Sequence, residues 1–492
     1  MQNSQSIQKQ IYKRLSNSQS IKTQTQLVLS DGEKLIDTQV NLYVSSCEKG
    51  DGEAKINVSA IFTVLYKTEN GIENYESGTN FAFEFKHENL TPKTALIPEF
   101  TVNSISAESG DEGVTVRSTV ACEVCFHYAE DSQILSEDSL AICKTQLFEM
   151  EKCVGDCSQS FDVEGEKILP YALKKVLCHS HVAELKEIQC GVSEVIVEGD
   201  VVSDLVILTQ SQAVVNERAV TPFRLELECD CAQPENQAVG FAFLQSAGLK
   251  IIGEEDSGKT VISTEFSINI CAEVRENAQI TYIEDAFFAQ NQTVLQSDRV
   301  AFDSQTRQTT AKHKFFGEAM LDLQEGESVR GVLSSDFYAL DFVKEGDKVN
   351  LSLVIRAKLL LLGAGDENLC KTAELPVSIS VGTQAKLLSA SVCKKSVNAK
   401  HSDGKCFLEG ELSVTLLVCD EQSVTALTKL EQGEPKPADD SAIRIIFIQS
   451  GDSGWSACKK AETDEATLLQ QNPDLTFPAE KDCAVVVYRQ QN

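Results

Sequence analysis

The sequence predicts a mainly β protein: three tandem β-rich, sandwich-like modules followed by a small β-α-α-β domain. Two observations predict it. The first is a period-two alternation of apolar and polar residues through most of the chain. Phe81, Phe83 and Phe85 share one strand face, as do Ile262, Thr264, Phe266, Ile268 and Ile270, and long helical patterns are nearly absent before residue 440. The second is that the alternation repeats. An acidic glycine turn opening a long strand recurs at Asp111, Asp256 and Asp403, 145 and 147 residues apart, and a second landmark recurs at Asp138 and Asp285, again 147 apart. Unrelated landmarks with one common interval define an internal repeat.

The elements follow in order. Residues 1–26 are rich in Gln and Ser and read as a polar N-terminal tail. Repeat one covers 27–130, with its strongest strand at Ile56–Tyr66, and a connector covers 131–168. Repeat two covers 169–276, with Val195–Leu208 in the same place, and a second connector covers 277–324. Repeat three, 325–428, carries Val349–Leu362. Residues 429–441 contain two prolines among acidic residues, which is linker composition. In 442–492 the pattern changes to a strand (Ile443–Ile448), two short helices (Ser453–Ala461 and Asp464–Gln471) and a closing strand (Ala484–Tyr488).

Composition narrows the function classes. Of 492 residues 42% are hydrophobic and 24% charged, which excludes wholesale disorder. Forty-four basic residues against 74 acidic ones leave a net charge of −30. Such a surface repels phosphate backbones, so neither nucleic acid nor an anionic membrane is an expected partner. The most apolar run, Leu351–Leu362, contains Arg356 and Lys358, so no membrane span is expected. Met1–Leu15 has no apolar core of a secretory signal, and the expectation is a soluble cytoplasmic protein. In a reducing compartment the 17 cysteines are expected as free, mostly buried thiols. Cys122 and Cys125 could join Cys153 and Cys157, which read as loop residues, around zinc, with His127 the nearby imidazole. The 27 residues between the pairs and the placement of the first two on opposite strand faces argue against it. No metal and no cofactor are expected.

Motifs that suggest enzymes fail on context. Gly253–Thr260 reads GEEDSGKT, a formal phosphate loop through Gly253, Gly258, Lys259 and Thr260. The residues after Thr260 alternate as a strand, so no helix N-terminus follows, and three acidic residues stand where phosphates would lie. A hairpin turn is expected there, at the repeat position of Asp111 and Asp403. Gly451–Gly454 reads GDSG, but no histidine stands in a matching context for a serine nucleophile. His179 and His181 share a strand face and are expected as a surface pair. The chain is not expected to be an enzyme.

The repeats resemble SPOCS domains, the repeated unit of clostridial spore-coat morphogenetic proteins of the SipL type. The residues that carry the resemblance are Val195–Gly199 (VIVEG), the lead-in segments Leu169–Val182 and Val329–Phe342, and the acidic connector Glu284–Phe287. Ser59 and Ala60 stand in repeat one where repeat two has Glu198 and Gly199. The C-terminal unit resembles a degenerate LysM domain, with Gly451, Asp452, Ser453 and Trp455 in its turn and first helix and Asn472, Pro473 and Asp474 in its later turn. Gly454, Ala457 and Ala461 replace larger apolar residues of that family. A buried Leu or Ile cut to Ala costs roughly 2–4 kcal/mol without compensation, which weakens an expectation of glycan binding. Trp455, the single tryptophan, is expected as a core plug ahead of a contact residue. The resemblance implies a non-catalytic scaffold or adaptor of the mother-cell cytoplasm. It would join coat basal-layer proteins around the forespore, with the LysM-like head on the coat-base ATPase. The alternative is a peptidoglycan or N-acetylglucosamine binder of the cell envelope acting through the same seven head residues.

Overall fold

The computed structural model describes residues 2–253, 259–363, 367–402, 404–437 and 442–488. Six strands build each module. In module one they are β1 (Gln2–Gln24), β2 (Lys34–Lys49), β3 (Glu53–Thr68), β4 (Gly71–Lys86), β5 (Ile97–Gly110) and β6 (Gly113–Asp138). In module two they are β7 (Ile142–Leu169), β8 (Leu173–Cys190), β9 (Glu194–Thr209), β10 (Val214–Glu228), β11 (Gln237–Gly253) and β12 (Thr260–Phe287). In module three they are β13 (Asn291–Glu318), β14 (Ser328–Glu345), β15 (Lys348–Leu362), β16 (Asn368–Gly382), β17 (Lys386–Ser402) and β18 (Lys405–Pro435). Each module is two antiparallel three-stranded sheets. One is a meander, such as β2-β3-β4. The other places the last strand between the first and the fifth, as in β1-β6-β5.

Alternation puts the core between the two sheets. Along β3, Ala54, Ile56, Val58, Ala60, Phe62 and Val64 point inward and meet Val114, Val116, Val120, Cys122 and Val124 of β6. Modules two and three repeat the arrangement around Val195, Val197 and Phe266 and around Leu351, Leu353 and Leu412. The repeated acidic turn closes the same hairpin each time, pairing Gly110 with Gly113, Gly253 with Thr260, and Ser402 with Lys405. Gly113 has φ +122°, and a Cβ there would stand 2.4 Å from the Thr25 carbonyl oxygen, so only glycine fits. Gly258, Asp256 and Asp403 lie outside the described residues.

The structure corrects three sequence assignments. Residues 1–26 are no tail, because β1 pairs with β6 along nearly its whole length. A ladder needs only backbone groups, and the polar side chains of β1 are themselves bonded: Asn17 and Gln19 donate to the Glu84 and Ala82 carbonyls of β4. The segments 131–168 and 277–324 are no connectors. They are the far ends of β6 and β12 together with all or most of β7 and β13, which run from their own sandwich into two-stranded arms. Residues 429–435 continue β18 rather than starting a linker, and 438–441 lie outside the described residues.

The arms explain how the modules meet. Ile7 and Ile134 of module one, Met150 of module two, and Val300, Phe302 and Ala426 of module three form one apolar cluster. A second cluster joins Leu135, Ile283, Ala286, Leu427 and Leu430. The meander sheets converge likewise through Leu65, Cys178, Leu208, Leu333 and Leu360. Module three returns to module one through Lys358–Asp37 at 2.7 Å and the Arg356 bond to the Val102 carbonyl. Each of the three modules thus contributes residues to all three of these clusters.

Candidate functional site

The C-terminal unit is β19 (Ile443–Ile448), α1 (Gly454–Ala461), α2 (Glu465–Gln471) and β20 (Cys483–Tyr488), with β19 and β20 paired antiparallel. Most of the expected site residues shape this unit. Gly451 has φ +88°, a turn conformation suited to glycine. Ser453 caps α1 by accepting the Ser456 N–H. Asp452 accepts from Gln449 N at 2.8 Å and from Lys460 at 2.6 Å, and the Lys460 ammonium holds its carboxyl below the ordinary range. Asn472 ties α2 to β20, donating to the Val486 carbonyl at 2.7 Å and accepting its N–H at 2.9 Å. Pro473 and Asp474 are exposed. Gly454, Ala457 and Ala461 are buried, and a Cβ on Gly454 would stand 2.8 Å from the Glu465 carboxylate, the movable end of a long side chain.

Trp455 packs against the head's core, as expected, and also reaches across to the body. Its ring packs on Phe287 at 5.4 Å and its indole N–H donates to Asp285 at 2.7 Å, both at the end of the module-two arm. Lys459 pairs with the same carboxylate. Burial would raise the Asp285 carboxyl, but the bonds from Lys459 and Trp455 outweigh it and hold it below the ordinary range. Lys436, just after β18, completes the joint 2.9 Å from Glu462, and Arg444 of the head holds the same carboxylate at 2.9 Å. The head is therefore docked by its tryptophan face. Its opposite face stays open: Ile443, Ile445, Phe447 and Tyr488 are 54%, 60%, 76% and 54% exposed, side by side on the two-stranded sheet.

A second set of functional groups lies where the modules meet, and the sequence reading missed it. Arg275 of β12 is 1% exposed. It reaches Glu151 at 3.3 Å, Thr306 Oγ1 at 2.5 Å and the Tyr12 hydroxyl at 2.6 Å, so one guanidinium bonds to all three modules. Glu273 lies 2.5 Å from its Nη2. Burial would lower the Arg275 pKa, and the surrounding Glu273, Tyr12 and Glu151 more than reverse it. Beside this group stand His127 of β6, Cys153 and Asp156 of β7, and Glu273. Cys153 and Cys157 thus lie on a strand and not in a loop. Cys122 belongs to the module-one core, whereas Cys125 faces Ser389 of module three, so the four thiols weighed for zinc do not converge. All 17 cysteines are free.

His179 and His181 are no surface pair. Ser203 Oγ, His181, His179 and Glu76 form a chain with successive contacts of 2.8, 2.9 and 3.2 Å. The order imitates a nucleophile relay, but Ser203 is 0% exposed. Burial, and then His179, pushes the His181 pKa down to about 3. Of the phosphate-loop candidate, residues 254–258 lie outside the described residues; Thr260 opens a strand, is buried, and its Oγ1 accepts the Leu173 N–H at 3.2 Å. No helix among the described residues is long and apolar enough to cross a membrane. Comparison with protein-family models, with curated proteins and with solved structures returns no match.

Proposed function

We propose that this chain is a non-catalytic scaffold or adaptor of spore-coat assembly, acting at the forespore surface in the mother-cell cytoplasm. The open apolar face Ile443–Ile445–Phe447 with Tyr488 supports it. Aromatic and aliphatic side chains grouped on a rigid sheet make good interface anchors, and docking through Trp455 holds that sheet outward from the body. The SPOCS and LysM resemblances supply the partner, the coat-base ATPase. The net charge of −30 favours a partner whose contact surface is basic around an apolar centre.

Binding of the full chain to purified coat-base ATPase tests the proposal. Wild type should bind, and Phe447→Asp should weaken binding by about 30-fold or more, the scale of a hot-spot loss. Binding unchanged by Phe447→Asp, or absent in wild type, contradicts it. Binding of N-acetylglucosamine oligomers in place of the ATPase transfers the function to the glycan reading.

A further inference from the structure

We infer that the chain binds one zinc ion at the joint of modules one and two, through His127, Cys153 and Glu273. Their ligand atoms lie within 4.8 Å of one another, although they come from three strands far apart in sequence. Thiolate, imidazole and carboxylate together are a borderline donor set that suits Zn2+ and is poorly matched to Mg2+ or Ca2+. Three protein ligands leave a fourth position for water.

The surroundings fit a cation. Nδ1 of His127, 3.5 Å from Glu273, is the nitrogen placed to take the ion, and Nε2 then faces the Asp156 carboxylate at 3.8 Å. Such a partner orients a ligating imidazole. The charges are also unbalanced. Glu151, Glu273 and Asp156 gather here, while Arg275 is divided between the first two and Lys49, which faces Asp156, gives its Nζ to the Thr94 carbonyl. Glu273 Oε1 accepts no aligned hydrogen bond among the described residues despite its closeness to Arg275. A divalent cation balances these gathered carboxylates, and the Cys153 thiol gives its proton to solvent as it binds. The ion then braces β6 against β7 and β12.

Titration of the full, metal-stripped chain with Zn2+, and with Co2+ as a spectroscopic probe, tests the site. Wild type should take up one tight equivalent, show a thiolate-to-Co2+ charge-transfer band, and melt at a higher temperature with zinc. Cys153→Ser should lose the band and the tight equivalent. Asp156→Asn, at a side chain 26% exposed, should keep the fold and weaken affinity about 10–100-fold. No tight equivalent in wild type, or one that survives Cys153→Ser, overturns the assignment.

Discussion

Trp455 donates its indole N–H to Asp285 across 2.7 Å, and Phe287, two residues on, supplies the ring beneath it. The same acidic connector that marks the repeat in the sequence is thus the seat of the C-terminal head. A hydrogen bond to a charged acceptor contributes about 1.5–3 kcal/mol. Trp455→Phe should therefore loosen the head while leaving the sandwiches intact. Hydrogen exchange should quicken in 454–461 and 285–288 and stay unchanged in the module cores.

Arg275 should be the costliest single side chain to lose. Arg275→Ala leaves Glu151 and Glu273 buried without their shared counter-charge, at roughly 3–5 kcal/mol. Denaturant unfolding measures it. Arg275→Lys should recover only part of the loss, because an ammonium cannot span Glu151, Thr306 and Tyr12 at once.

Acid stability should depend on His181. Its folded pKa lies near 3, below the ordinary 6.5, so the unfolded chain binds a proton that the folded one refuses. Stability is therefore lost as pH falls from about 6.5 towards 3, by up to about 1.4 kcal/mol per unit from this group. His181→Gln should flatten that limb of the stability curve, and an unchanged slope contradicts the burial argument.

The hairpin at Gly113 offers a backbone test. Gly113→Ala adds a Cβ at positive φ, 2.4 Å from the Thr25 oxygen, and should cost more than about 1 kcal/mol. Gly32→Ala, also at positive φ but with open space around it, should cost less.

Alternation and the 147-residue interval made the strands and the repeat legible, because both are local properties of the chain. The arms were not. In β12, Ala272 and Val274 face the core, and Glu273 and Arg275 alternate with them on the other face, where charged residues suggest solvent; a neighbouring module buries that face, which no local pattern records. The polar β1 misled for a related reason, since its pairing depends on backbone groups and its side chains spend their polarity on β4 carbonyls. The head's open face did leave a signal. Ile443–Ile448 is apolar on both sides apart from Arg444, more than a strand with one buried face needs.

Imaging in sporulating mother cells tests the scaffold account most directly. Labelled wild-type chain should encircle the forespore, and the exposed-face variant Phe447→Asp, equally abundant, should spread through the cytoplasm. A diffuse wild type, or a variant that still encircles the forespore, contradicts the account.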